Sequence, residues 1–276
     1  MERMQGGRAR VMTWNIWWRF GPRWQDRQPA LVETLRRMDP DIVALQEVWA
    51  TDGTTQADEF GELLGLYAGF ASPSYPAAPE PSQIPDHAGV KLGLGVLSRW
   101  PIISLEPVET PARHREWAPM ALRSTLAHPA GPLPVVVACL EYESAYNDDR
   151  LAQAQTLAEL ATDPVMDGPC PVVVAGDLNA ALGSPILRPV RDLLTDAWTA
   201  GNGDPTAVTL PSQHPSAPLE AGPELVDQRI DHIFFRPGQP GMRVLVESAD
   251  LAGEPVGGVY PSDHQAVVCD LRWAAV

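Results

Sequence analysis

Five short stretches place acids, amides or a histidine directly after apolar runs: Trp14-Asn15, Gln46-Glu47, Gly176-Asp177-Leu178-Asn179, Arg229-Ile230-Asp231-His232 and Ser262-Asp263-His264. Asn and Asp are disfavoured in strands, so their position at the mouths of apolar runs calls for a reason. Each stretch alone has a structural one: Asn15 as an edge residue, Glu47 as a solvated strand end, Gly-Asp-Leu-Asn as a turn. For chemistry to be absent, all of these readings must hold at once. Carboxylate and amide oxygens are what hard divalent cations take as ligands, and imidazole is the side chain that changes charge near neutral pH. The chemistry such a set suits is the binding of a hard cation beside a titratable imidazole. No nucleophilic Ser or Cys motif, phosphate-binding Gly-Lys loop or dinucleotide fingerprint competes with it.

These residues need strands to carry them. Arg10 to Trp17 mixes apolar and β-branched residues, and Asp41 to Val48 is a near-continuous apolar run, as a buried strand reads. Between them Gln28 to Met38 has helical spacing and stops before Pro40, giving strand, helix, strand. Further strands are expected at Leu92 to Ser98, Met120 to Ala127, Leu133 to Leu140, Pro171 to Ala175, Gln228 to Arg236, Met242 to Ser248 and His264 to Leu271. Helices fit Ala57 to Leu66 and Asp149 to Ala161. The pattern predicts a layered α/β domain on two sheets, a single domain over residues 1–276. Ser72 to Gly89 and Gly201 to Glu224, rich in Pro, Gly, Ser and Ala, read as long loops within it.

With 20 basic and 35 acidic residues the net charge is −15, which opposes the counterion-release term behind most non-specific nucleic-acid binding. Nucleic acid is therefore not the partner that charge favours, and part of the acidity suits a cation site. Three cysteines at unpatterned spacing fit neither a disulfide framework nor a zinc site. No run approaches the roughly 18 apolar residues of a membrane span, and the start MERMQGGRARVMTW lacks an apolar leader segment, so a cytoplasmic monomer without integral membrane association is expected.

TWNIW at 13 to 17, LQEVW at 45 to 49, LSRWPI at 97 to 102, GDLNA at 176 to 180, RIDHIF at 229 to 234 and PSDH at 261 to 264 occur in one order along the chain. In these motifs the sequence resembles the endonuclease/exonuclease/phosphatase superfamily, the deoxyribonuclease-I-like metal-dependent phosphohydrolases. The resemblance implies a four-layer α-β-β-α sandwich of two mixed sheets, with the site where strand termini converge. It implies a phosphate-ester substrate and Mg²⁺ or Mn²⁺ bound by Glu47, with Asn15 and Asp263 nearby. Asp177 would activate water, Asn179 would donate to a phosphate oxygen, and His264 would do so as a cation held by Asp231. In-line displacement at phosphorus needs an activated water, neutralised non-bridging oxygens and help for the departing oxygen, and this set covers those needs. The activity implied is phosphodiesterase or phosphatase. A DNA nuclease or DNA-end repair phosphodiesterase is the alternative enzyme, and a non-catalytic binding protein retaining the fold the alternative of another class.

The chain departs from the family pattern at Val137-Ala138-Cys139-Leu140-Glu141, where Cys139 stands at the position of the family's second histidine. A thiol supplies no cationic donor at neutral pH. Cys139, Glu141, Tyr142 and Arg150 are the candidate substrate contacts in this region, with Tyr146 a further option. Arg99 reads as a strand anchor in a buried ion pair, and His232 should face away from the site. WWRFGPRW at 17 to 24 suits a substrate wall or core, and His87, His114 and His214 read as surface residues of loops.

Overall fold

The computed structural model describes residues 6–21, 23–76, 85–215 and 223–275. The first five residues, Pro22, and the middles of both Pro-rich loops at 77–84 and 216–222 lie outside them. The chain runs β1 (Gly7–Asn15), α1 (Trp24–Met38), β2 (Ile42–Ala50), α2 (Gln56–Leu64), β3 (Tyr67–Ala71) and β4 (Lys91–Ser98). It continues through β5 (Ile102–Glu109), β6 (Met120–His128), β7 (Gly131–Cys139), α3 (Asn147–Thr162) and β8 (Val172–Asp177). Short α4 (Arg188–Arg191), β9 (Thr195–Asp196) and α5 (Ala197–Ala200) precede β10 (Asp231–Arg236), β11 (Met242–Ala252) and β12 (Ala266–Ala275).

The strands form two six-stranded sheets, ordered β11-β12-β1-β2-β4-β3 and β5-β6-β7-β8-β10-β9. Val11, Ala44, Val96, Val137, Ala175 and Ile233 are among the residues that close the space between them. Leu31 and Leu35 of α1 and Phe60 of α2 cover the outer face of the first sheet, over Met12, Val43 and Leu97. Ala154, Leu157 and Ala161 of α3 cover the second, over Val136, Val174 and Phe234. This is the expected four-layer sandwich, and its stability rests on three stacked apolar layers.

Local chemistry accounts for the element boundaries. α2 begins at a capping box, with Thr55 accepting from the Asp58 N–H while Asp58 accepts from Thr55, and ends at Gly65 in the left-handed region. β1 stops at Asn15 rather than Trp17 because Trp17 and Trp18 turn into positive φ. Pattern reading misses β3 and β5, both at sheet edges. β5 carries Pro107 and leaves Ile103 60% exposed, so it shows neither the alternation nor the apolar run of a covered strand. α1 starts four residues earlier than periodicity indicates.

The topology fixes where a site can form. β1 and β2 are parallel, as are β7 and β8, each pair joined across a helix, so four strands end at one edge of the sandwich. Antiparallel β10 begins at that edge, with Asp231 opposite Asp177, and β12 begins there just after His264. Among the described residues no helix is long and apolar enough to cross a membrane.

Candidate active site

Glu47 owes its position to a bulge. β2 pairs Leu45 with Gly95 but Val48 with Gly93, so three steps on one strand oppose two on the other, and Glu47 takes φ 55°. Of eight non-glycine residues with positive φ among the described residues, Trp17, Trp18, Glu47 and Asn179 lie here. Each such conformation costs about 1–3 kcal/mol and persists only where surroundings over-determine it. The surroundings do so: Ile16 and Trp18 N–H donate to the Gln46 and Glu47 carbonyls at 3.0 and 2.9 Å.

Asn15 joins the two sheets. Its Nδ2 donates to Glu47 Oε1 at 2.7 Å and to Asp177 Oδ2 at 3.1 Å, while its Oδ1 accepts from Trp17 N at 2.9 Å. Asp177 Oδ1 accepts from Asn179 N at 3.0 Å. Burial, with Asp231 next, pushes Asp177 up to about 7, which suits a group that takes a proton near neutral pH. Asn179 donates one amide hydrogen to Leu140 O at 2.9 Å.

Asp231 is fully buried and its Oδ2 lies 2.9 Å from His264 Nδ1. Burial alone would lower the imidazole pKa, but Asp231 and Asp177 outweigh it and hold His264 well above its usual value. Its Nε2 is 3.9 Å from Asp177 Oδ2. The arrangement is a carboxylate-held imidazolium beside a carboxyl of raised pKa.

Two sets of side chains could hold a cation. Ligand atoms of Asp177, Asp231 and His264 lie within 4.8 Å of one another. His264, however, is engaged by Asp231 through one nitrogen, and a hard ion prefers oxygen. The second set centres on Glu47, whose Oε2, like Asp231 Oδ1, is buried and has no hydrogen-bond partner among the described residues. Burial and then Asp263 raise the Glu47 pKa well above the usual carboxylate range, the state a cation reverses. Half-buried Asp263 adds a second carboxylate beside Glu47, a donor type suited to Mg²⁺ or Mn²⁺, whereas Asn15 turns its Nδ2 to Glu47 and its Oδ1 to Trp17 N and so holds the carboxylate in place.

Residues that sequence reading passed over hold this set in place. Arg27 is buried and donates to five carbonyls, those of Ile16, Trp17, Trp18, Phe20 and Pro261. It thereby ties the turn after Asn15 to the loop before Asp263. Ser262 Oγ donates to Asn15 O at 2.7 Å and accepts from His264 N at 3.2 Å. Thr209 Oγ1 accepts from the N–H groups of Ile230 and Asp231, and its carbonyl from Gln265 N at 2.8 Å. Ser262 was visible in the PSDH motif, whereas Arg27 and Thr209 carried no local signal.

Cys139 lies in register with Asp177 on the parallel neighbour, facing the space between the sheets, and is 4% exposed. Burial and then Asp177 push its thiol pKa well up, so it stays protonated. Glu141 is fully buried and forms a two-point ion pair with Arg115 at 2.7 and 2.9 Å. Arg150 donates to the Asn179 and Tyr142 carbonyls, so its head positions backbone. Tyr146 stacks on His114 at 4.5 Å. Tyr142 remains the partly exposed side chain beside the site.

Two expectations need correction. Arg99 does pair with Asp39 and Asp41, at 2.9 and 2.5 Å, but its side chain is 43% exposed, so the pair is a surface one. His87 and His214 are buried against Trp18 and between Trp17 and Tyr260, because loop histidines here pack on the aromatic run. Trp18 belongs to a cluster with Phe20, Trp49 and Val90 and is core rather than wall.

His232 faces away, as expected, but is fully buried. Its Nδ1 lies 2.8 Å from Arg229 Nη1 and its Nε2 2.9 Å from Ala180 O, which fixes the neutral form with hydrogen on Nε2. Burial and then Arg229 depress its pKa to about 4. Between that value and about 6.5 the unfolded chain binds the extra proton, so this group withdraws stability as pH falls through the window. A drop to pH 4.5 is expected to cost about 2–3 kcal/mol at this group. Urea unfolding at pH 7 and 4.5 should show a flatter pH dependence for His232→Gln, and equal slopes would contradict the assignment.

Comparison with known proteins bears on the family and the fold. A family model described as the endonuclease/exonuclease/phosphatase family matches residues 12–264. No curated protein has a matching sequence. Among solved structures, an endonuclease/exonuclease/phosphatase from Beutenbergia cavernae DSM 12333 aligns at 24% identity and TM-score 0.69, over 99% of this chain and 72% of its own. TDP2 of D. rerio, solved with a single-strand DNA product, aligns at 18% identity and TM-score 0.70, over 96% and 98%. The human Nocturnin catalytic domain with bound sulfate aligns at 20% identity and TM-score 0.69, over 98% and 95%. The matched span runs from Met12, beside Asn15, to His264, taking in every strand end of the cluster, and the chain belongs to the endonuclease/exonuclease/phosphatase family.

Proposed function

We propose that this protein hydrolyses phosphate esters with the help of a divalent cation, Mg²⁺ or Mn²⁺. The observation that carries the reading is the continuous buried chain Glu47, Asn15, Asp177, which links the two sheets, with the Asp231–His264 pair directly beside Asp177. Glu47 and Asp263, with Asn15 bracing Glu47, would hold the cation, which would supply neutralising charge for a non-bridging phosphate oxygen. Asp177 orients water and accepts its proton. Asn179 donates its second amide hydrogen to a phosphate oxygen, and the His264 imidazolium donates where phosphorane charge develops. Asp231 holds that imidazolium charged and oriented. A fold retained for binding alone has no physical need for a carboxyl of raised pKa beside an imidazolium. A panel of phosphate diesters and monoesters, assayed with Mg²⁺, Mn²⁺ and excess chelator, tests the proposal. Turnover confined to the metal-supplemented reactions is expected, and no turnover of any ester with either metal would refute it.

We further propose that Cys139, at the position of the family's second histidine, leaves the departing oxygen without a cationic donor. A protonated thiol gives little help to a basic departing oxygen, so this enzyme is expected to favour esters with good leaving groups. Cys139→His should raise kcat on alkyl esters about tenfold or more while changing activated aryl esters much less. Equal behaviour of Cys139→His, Cys139→Ala and parent on both ester types would remove the position from the mechanism.

A further inference from the structure

Two residues of the RIDHIF stretch, Arg229 and His232, take no part in the proposed reaction, yet both lie buried behind it. His232 is fully buried, and the Arg229 side chain is 9% exposed. They form one file of polar contacts. Asp196 accepts from the Arg229 guanidinium at 3.0 and 3.3 Å, Arg229 Nη1 donates to His232 Nδ1 at 2.8 Å, and His232 Nε2 donates to Ala180 O at 2.9 Å. Arg229 also lies over the Trp198 ring at 5.6 Å. An ion pair and an imidazole taken out of water are costly unless every polar atom is satisfied, and apolar side chains would fill the same space at less risk. Packing alone does not account for them.

The carbonyl at the end of the file belongs to the residue after Asn179, whose second amide hydrogen is the proposed donor to the phosphate. Asn179 stands at φ 46°, a conformation that persists only where its surroundings impose it. Asp177 Oδ1 takes its N–H, Leu140 O takes one amide hydrogen, and Arg150 binds its carbonyl. Two further bonds bracket the turn against β10. Leu178 N donates to Ile230 O at 2.9 Å before Asn179, and His232 binds Ala180 O after it. Successive residues of a strand project to opposite faces, so β10 presents Asp231 to the site and His232 to the turn behind it. One strand thus carries the partner of the His264 imidazole and the clamp on the Asn179 turn.

We infer that His232, oriented by Arg229 and Asp196, is a positioning residue that locks the Asn179 turn to β10 and so fixes the Asn179 amide relative to His264. The inference rests on the proposed hydrolysis for what Asn179 does, while the clamp itself is measurable without turnover. Two substitutions separate the bonds of the imidazole. His232→Gln places an amide nitrogen where the ring has Nε2 and keeps the donor to Ala180 O. His232→Asn keeps an acceptor for Arg229 at the place of Nδ1 but does not reach Ala180.

On one diester with Mn²⁺, His232→Asn should lower kcat about tenfold or more with KM within about twofold, and His232→Gln should stay within about threefold of the parent. In Asn179→Ala protein, His232→Asn should cost less than about twofold further, since the group it positions is gone. Hydrogen exchange read by mass spectrometry over residues 178–182 should be about tenfold faster in His232→Asn than in the parent or His232→Gln, with β1 unchanged. Parent-like kcat in His232→Asn overturns the role, as does an undiminished loss in Asn179→Ala protein. Equal losses for Gln and Asn would assign the effect to packing or to the Arg229 contact and also overturn it. A parent that turns over no ester with either metal removes the hydrolase reading by itself. The exchange comparison then decides the clamp: acceleration confined to His232→Asn keeps it, and equal exchange in all three proteins removes it.

Discussion

Asp177→Asn should lower kcat by about 10²–10⁴-fold with little change in KM. The asparagine fills the same volume and can still accept from the Asn179 N–H, which lies 3.0 Å from Oδ1. What it loses is the proton affinity that burial and Asp231 confer on the carboxylate. A group that acts only as water is deprotonated contributes to the transition state and not to ground-state binding, so the loss belongs in kcat. Steady-state kinetics on one diester decides the matter. A KM that rises steeply while kcat survives would reassign Asp177 to substrate positioning.

The second large effect concerns Asp231. Asp231→Asn keeps a hydrogen-bonding group 2.9 Å from His264 Nδ1 but removes the charge that sustains the imidazolium. Rate losses of about 10²–10³ are expected, the range for removing one preorganised donor to a developing oxyanion. Because Asp231 raises the His264 pKa, its removal lowers that pKa, and the alkaline limb of the rate profile should move to lower pH. His264→Gln and the double variant should be about equally slow, as expected for two residues acting as one unit. Additive losses, or an unmoved alkaline limb, would mean that Asp231 acts independently of His264.

The parts of this site legible from sequence were those whose residue type contradicts its surroundings. Asn15, Glu47, Asp177 and Asp263 stand out because polar groups at the ends of buried strands are costly without a purpose. Asn179, Asp231 and His264 stand out for the same reason, the roles of all seven came from the family resemblance, and the structure brings these residues to one edge. What stayed hidden depends on long-range geometry. Arg27 is unremarkable within a helix, and only the fold shows that five carbonyls from two separate loops converge on it. Thr209 sits in a Pro-rich loop with nothing nearby to mark it, yet it holds the start of β10. The bulge that turns Glu47 inward depends on register against β4, which the β2 sequence does not encode by itself. The two sheets were legible from apolar runs. Edge strand β5 was not, since with a Pro and exposed side chains it lacks the pattern that burial imposes.

In the proposed reaction Glu47 anchors the cation that makes this cluster hydrolytic. The direct measurement is kcat/KM for one activated phosphodiester as a function of Mn²⁺, from excess chelator to saturation, for the parent and for Glu47→Gln. The substitution keeps the shape but removes the charge at Oε2, a buried atom without a hydrogen-bond partner among the described residues. The parent should be inactive in chelator and saturate with added Mn²⁺. Glu47→Gln should need about tenfold or more Mn²⁺ to reach half its own maximum. Turnover persisting in excess chelator, or superimposable Mn²⁺ curves for the two proteins, would contradict the account.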